Sequence, residues 1–249
     1  MMASSLLFGS LWAVEIPNDA SAINIAGKQR MYTQRILKDY AMVGMGNTFG
    51  DPKKDLASTI SAFDDHLKSL QAYAKDSATK EALAEVEKAW KPLKKVLQGK
   101  PDVQKAGTLQ QKLELLLKAS DKATKMFAKA SGKSSGELVN TAGRQRMLSQ
   151  RMASLYMLKV WGVNDPEFKQ KLDDALTLFK QSNETLEKAD INTDETKKLL
   201  VKVKRAFMFF EMMNRSKSKF VPSLIYKKSD DILKNMNQVT ELYVAEESK

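Results

Sequence analysis

The sequence predicts an all-α protein built as two tandem up-down antiparallel four-helix bundles, and three observations predict it. First, the 249 residues include only 11 Gly and 6 Pro, while the helix formers Lys, Ala, Leu, Glu and Gln are abundant. Second, apolar residues recur at helical spacing between short Gly/Pro breaks. Third, the stretch Asn24-Ile-Ala-Gly-Lys-Gln-Arg-Met-Tyr-Thr-Gln-Arg35 returns as Asn140-Thr-Ala-Gly-Arg-Gln-Arg-Met-Leu-Ser-Gln-Arg151, identical at eight of twelve positions at an offset of 116. The exchanges Lys28/Arg144 and Thr33/Ser149 keep their chemistry. Matches outside the motif fall at the same offset: Tyr40/Tyr156, Gly46/Gly162, Phe63/Phe179, Leu70/Leu186 and Thr124/Thr240. A whole four-helix unit is therefore duplicated.

Residues 1–19 read as a signal peptide and leader: residues 1–13 are apolar and short and end in a small residue at Ala13, without the usual basic start. The first bundle spans 20–131 and the second 137–247. The opening helix follows Asn18-Asp19, with Asp19 or Ser21 as N-cap, and ends near Met45, where Gly44, Gly46, Gly50 and Pro52 interrupt the pattern. The second helix, about 53–75, carries Leu56, Ile60, Phe63, Leu67 and Leu70 on one stripe. The third, about 78–97, carries Leu83, Val86, Trp90 and Leu93, and Pro92 inside it predicts a kink or a late restart. The fourth, about 103–131, presents Leu109, Leu113, Leu116 and Phe127. Residues 132–136, Gly-Lys-Ser-Ser-Gly, form the candidate joint. It is short enough for the fourth helix to run almost coaxially into the fifth, which would hold the two motifs about 40 Å apart. The third helix of the second half, about 194–219, is the most apolar. Short loops make sequential helices antiparallel neighbours.

The formal net charge is +11 and there is no cysteine. Lys is scattered among Asp and Glu, which reads as solvated helix faces rather than a nucleic-acid surface. Disulfide and thiolate chemistry are excluded. His66 is the single histidine, which argues against zinc and histidine-based acid–base catalysis. Beside Asp64 and Asp65 it reads as a surface residue. No phosphate loop, nucleophile–base pair or di-iron pattern is present, so the sequence points away from an enzyme and calls for no cofactor. No stretch approaches 18 uninterrupted apolar residues, so no transmembrane helix is expected.

On a helix, Ile23, Gly27, Arg30, Gln34 and Leu37 share a face, as do Val139, Gly143, Arg146, Gln150 and Ala153. Gly within a helix costs about 1 kcal/mol relative to Ala, so Gly27 and Gly143 suggest close approach of another backbone or a ligand. Arg30 and Arg146 on a packing face need acceptors. Those acceptors are either carboxylates of neighbouring helices or a bound oxyanion, which the planar guanidinium fork suits. Arg35 and Arg151 point elsewhere and should pair with local carboxylates.

At these residues the chain resembles the PilJ-type domain, from the N-terminal region of type IV pili methyl-accepting chemotaxis transducers. It is also similar to the first-helix box of nitrate/nitrite sensor kinases of the NarX/NarQ type. The resemblance implies helical sensory domains, mostly extracytoplasmic. In the nitrate sensors it implies an Arg, here Arg30 and Arg146, that binds the anion at a symmetric interface beside the Gly, here Gly27 and Gly143. Gln29 and Gln145 before the Arg follow the PilJ-like choice. The resulting expectation is a periplasmic module that binds a small nitrate-like oxyanion through Gly27, Arg30, Gln34, Gly143, Arg146 and Gln150. It would signal through a membrane receptor or other partner protein and engage no nucleic acid. The two motifs form one shared site as a pseudo-dimer, or two sites, or require a homodimer. The alternative is a structural or interaction protein in which the motif only packs helices.

Overall fold

A computed structural model describes residues 14–132, 134–216 and 221–247. The expected signal peptide falls largely on residues 1–13, outside the described residues, as do the last positions of the third helix of the second half. Eight helices run among the described residues: α1 (Asp19–Gly44), α2 (Pro52–Tyr73), α3 (Ser77–Leu97), α4 (Val103–Ser131), α5 (Ser134–Trp161), α6 (Phe168–Glu187), α7 (Asp194–Arg215) and α8 (Pro222–Glu247). No described helix is long and apolar enough to cross a membrane.

Local sequence explains the helix starts. The α1 cap is Asn18, whose Oδ1 accepts from the Ser21 N–H at 2.8 Å, one position earlier than the sequence suggests. Asp76, Asp102 and Thr193 cap α3, α4 and α7 in the same way. The helix α3 continues through Pro92 without a break. A mid-helix proline costs about 3 kcal/mol, but Trp90 and Leu93 on either side are almost fully buried and hold both segments to the core. The Trp90 ring lies 4.2 Å from that of Phe63, and its Nε1 donates to Asp64 at 2.7 Å.

Helices α1–α4 form one four-helix bundle and α5–α8 the other, and the two stand side by side rather than end to end. The coaxial continuation is overturned at the joint. Gly132 ends α4 with φ +64°, the left-handed conformation that glycine tolerates, and α5 then runs back antiparallel along α4. The Arg151–Glu114 ion pair at 2.6 Å fixes that pairing. As a result α1 and α5 lie parallel and in contact, related by a pseudo-twofold. Each is buried on nearly every side, α1 by α2, α4, α5 and α8, and α5 by α1, α4, α6 and α8. At the lower end of this contact the Trp161 ring packs edge-on against Tyr40 and lies directly over Gly44, where no Cβ would fit.

Candidate functional site at the contact of the two repeated helices

The motif places polar side chains where a packing helix would otherwise carry apolar ones, and the duplicated bonds are nearly superimposable. Gln29 Nε2 donates to the Phe63 carbonyl at 2.9 Å, and Gln145 Nε2 to the Phe179 carbonyl at 3.0 Å. The Thr33 hydroxyl donates to the Arg30 carbonyl and the Ser149 hydroxyl to the Arg146 carbonyl, both at 2.8 Å. The glutamine bonds tie each motif helix to the second helix of its own bundle, and the hydroxyl bonds stay within the motif helix.

Gly27 and Gly143 meet at the crossing of α1 and α5. A Cβ on Gly143 would lie 3.2 Å from Nη2 of both Arg30 and Arg146, and a Cβ on Gly27 would lie 3.8 Å from the Gly143 Cα. Glycine is needed here because two backbones and two guanidinium groups share one small volume. The arginines cross over the junction. Arg30 Nη2 donates to the Asn140 carbonyl of α5 at 3.1 Å, and Arg146 Nη2 to the Asn24 carbonyl of α1 at 3.2 Å. Both side chains are fully buried.

Their remaining partners break the symmetry. Arg30 Nη1 donates to Asp121 at 2.7 Å, whereas Arg146 Nη1 donates to the neutral carboxamide of Asn237 at 3.2 Å. Asp121 and Asn237 stand at the repeat offset. Of the two alternatives, pairing with a carboxylate of a neighbouring helix holds for Arg30 and not for Arg146. Burial opposes ionisation of Asp121, but Arg30 and Lys125 outweigh it and hold its carboxyl below the usual range. Burial, and then the neighbouring Arg30, push Arg146 down to about 10.

More cations crowd the same place. Half-buried Lys28 is pushed down by burial and then by Arg146, with Glu241 opposing, and half-buried Arg144 bears electrostatically on Arg30. Among the described residues neither makes a hydrogen bond or ion pair. His66 is buried rather than on the surface, because Tyr32 covers it with ring centroids 5.3 Å apart. Burial first, then Lys28 and Arg146, lower its pKa to about 4. Four Lys and Arg side chains, Lys28, Arg30, Arg144 and Arg146, thus crowd the glycine contact, and Asp121 is the one carboxylate hydrogen-bonded to either central guanidinium among the described residues.

Gln34 and Gln150 lie one turn further along. Gln34 Nε2 approaches Glu114 at 3.3 Å while its Oε1 accepts from the Ser154 hydroxyl, and Gln150 Nε2 donates to the Ser229 carbonyl at 3.2 Å. They join helices below the arginines and, among the described residues, make no side-chain hydrogen bond to the guanidinium groups. Arg35 and Arg151 pair with local carboxylates as expected, Asp55 at 2.6 Å and Glu114 at 2.6 Å. Sequence reasoning missed Lys28, Arg144, Asn237 and Asp121. A basic residue in both copies of the motif was the available signal for the first two. Nothing in the sequence singled out the last two without knowledge of the α1–α4 and α5–α8 pairing.

A cleft of about 320 Å³ between α1, α2 and α8 reaches this cluster, with Lys28, Tyr32, Arg35 and Asn237 in its wall. Among the described residues no group of three or more His, Cys, Asp or Glu is placed to hold a metal ion.

Fold and site together define a duplicated helical module that brings two copies of one cationic motif into contact. Residues 15–122 and 127–205 match the family described as Type IV pili methyl-accepting chemotaxis transducer N-term (PilJ), and the chain belongs to that family of sensory domains. Comparisons with curated proteins and with solved structures give no match.

Proposed function

We propose that this protein is a periplasmic sensory module that binds one small oxyanion, nitrate-like in size and charge, at the α1–α5 contact and acts through a partner protein. The observation that carries the reading is positive charge without a bonded counter-ion: Arg146, fully buried, has only neutral acceptors, Lys28 beside it has none, and Glu241 acts on both through space alone. An uncompensated buried charge costs several kcal/mol, which a bound anion would offset. Arg146 and Lys28 are the principal donors, reached through the cleft beside Asn237, with Arg30 adding to the field. Gly27 and Gly143 permit the close approach, and Gln34 and Gln150 hold the helices in register below it. Periplasmic location rests on the apolar leader and on the family, and a signalling partner on the family's place in chemotaxis transducers.

One observation favours the alternative in which the motif only packs helices: each guanidinium already donates to a carbonyl of the opposite helix and so staples α1 to α5. Calorimetric titration with nitrate, nitrite, sulfate and phosphate separates the two. The oxyanion reading expects one of these to bind once per chain, and Arg146→Ala to remove the heat. Absence of binding by all four, or undiminished binding in the Arg30→Ala/Arg146→Ala double variant, leaves only the packing role.

A further inference from the structure

The pseudo-twofold that relates α1 to α5 also relates two clefts. The cleft at Lys28 and Tyr32 has its mate between α4, α5 and α6, where Arg144 stands for Lys28, Met147 for Met31 and Leu148 for Tyr32. The mate is the larger, about 800 Å³. Side-chain volume accounts for the direction of the difference. In the first copy Tyr32 lies across His66, whereas the second copy has Leu148 and Ser182 at those positions.

The wall of this larger cleft is apolar at its base, with Leu117, Met147, Leu148 and Ala175 all buried. The basic residues around it are mostly neutralised: Lys125 by Asp121 at 2.6 Å, Lys171 by Asp165 at 2.7 Å and Arg151 by Glu114 at 2.6 Å. Arg144 is not. It is half-buried, carries five N–H donors and has no hydrogen-bond or ion-pair partner among the described residues. Small-molecule sites combine such an apolar lining with one or two convergent polar groups, in volumes of about 300–1,000 Å³.

We infer that the cleft between α4, α5 and α6 is a second binding site, for a small amphipathic monocarboxylate whose carboxylate pairs with Arg144 and whose hydrocarbon body lies on Met147 and Leu148. Of the two wall cations without an ion-pair partner among the described residues, Arg144 is half-buried and Lys118 is exposed, so the guanidinium is the group placed to pair with one carboxylate over the apolar base. Asp121 and Asp174 in the wall disfavour a polyanion. The apolar base gives a bare inorganic ion nothing to bury, whereas about 0.8 kcal/mol per buried CH₂ rewards a hydrocarbon chain. This cleft opens on the opposite face of the α1–α5 pair from the one that reaches the oxyanion cluster, and Arg144 and Asp121 border both, Arg144 through its field at Arg30 and Asp121 through its bond to it.

The test uses octanoate as probe on the full chain with methyl-labelled methionine. The inference expects one octanoate per chain. It also expects shifts of the Met126 and Met147 methyl resonances, which line this cleft, but not of Met31, which lines its mate. Octan-1-ol, with the same chain and no charge, should bind at least about tenfold more weakly, and Arg144→Gln should weaken octanoate by a similar factor, as loss of one charge-assisted hydrogen bond implies. Leu148→Tyr, which installs the residue of the first copy, should block octanoate while leaving oxyanion titration unchanged. Three results would overturn the inference: no octanoate binding, shifts confined to Met31 or spread over all methionines, or equal affinity in Arg144→Gln.

Discussion

Asn237→Asp is expected to stabilise the protein and to weaken oxyanion binding at once. Arg146 would then gain the partner that Arg30 already has in Asp121. A hydrogen bond to a charged group contributes about 1.5–3 kcal/mol, more than its neutral counterpart. Urea unfolding should therefore show a higher midpoint with an unchanged slope, corresponding to about 1–2 kcal/mol over the existing carboxamide bond. The same carboxylate would occupy the charge deficit that the anion is proposed to fill, so affinity for the oxyanion should fall by at least about tenfold. The two readouts must move in opposite directions. If Arg146 were only a staple between helices, stability would rise and no ligand would be lost. If Asn237→Asp destabilised the protein, the excess of positive charge at this contact would itself be in question.

Gly143→Val is expected to be strongly destabilising. Even a Cβ at this position lies 3.2 Å from both guanidinium Nη2 atoms, tighter than ordinary contact. Valine adds two further methyl groups and a fixed χ1, so the crossing must open and the arginine bonds to Asn24 and Asn140 must lengthen. Overpacking of this kind costs about 1–3 kcal/mol, and loss of the crossed hydrogen bonds adds about 1 kcal/mol. For a chain of this size the melting temperature should drop by roughly 5–15 °C. Gly143→Ala supplies the control. The arginine tips are flexible enough to yield a few tenths of an ångström, and alanine gains about 1 kcal/mol of helix propensity, so its melting temperature should stay near that of the parent. Equal losses for both substitutions would mean that the backbones, and not the guanidinium groups, set the limit at this contact.

The fold was legible in the sequence because the 3.6-residue periodicity and the Gly/Pro breaks are local signals, and the five helices to which those signals gave bounds lie within a few residues of them. The arrangement of the two bundles was not. It depends on Gly132 adopting a positive φ and turning the chain back, whereas a joint with helical φ and ψ would have given the coaxial form. The motif's own chemistry was half legible. Helical spacing correctly placed Gly27, Arg30, Gly143 and Arg146 on one packing face, and all four meet at the α1–α5 crossing. Gln34 and Gln150 share that face but sit a turn away, because spacing along a helix says which side a residue faces and not what stands opposite. The partners Asp121 and Asn237 come from helices 91 residues distant in each half, a separation no local pattern encodes. His66 was misjudged for a related reason. Its acidic neighbours Asp64 and Asp65 suggested solvent, but Tyr32 of α1 lies over it.

The burial of His66 supplies the most direct measurement of the central claim, that an oxyanion rests against Arg146 and Lys28. As the single histidine of the chain it gives one imidazole signal, readable by NMR without assignment. Burial and the two cations hold its pKa at about 4, below the ordinary 6.5. Its neutral form therefore contributes stability that is fully present above about 6.5 and is lost as pH falls through about 4. An anion bound at Arg146 and Lys28 would cancel much of their field and raise the imidazole pKa. Titrating the His66 signal against pH, without oxyanion and with the tightest-binding oxyanion at saturation, should show a low pKa in the free protein and an increase of roughly one unit in the complex, the effect of one nearby charge at intermediate dielectric. A saturating oxyanion that leaves the His66 pKa where it is in the free protein would contradict the account.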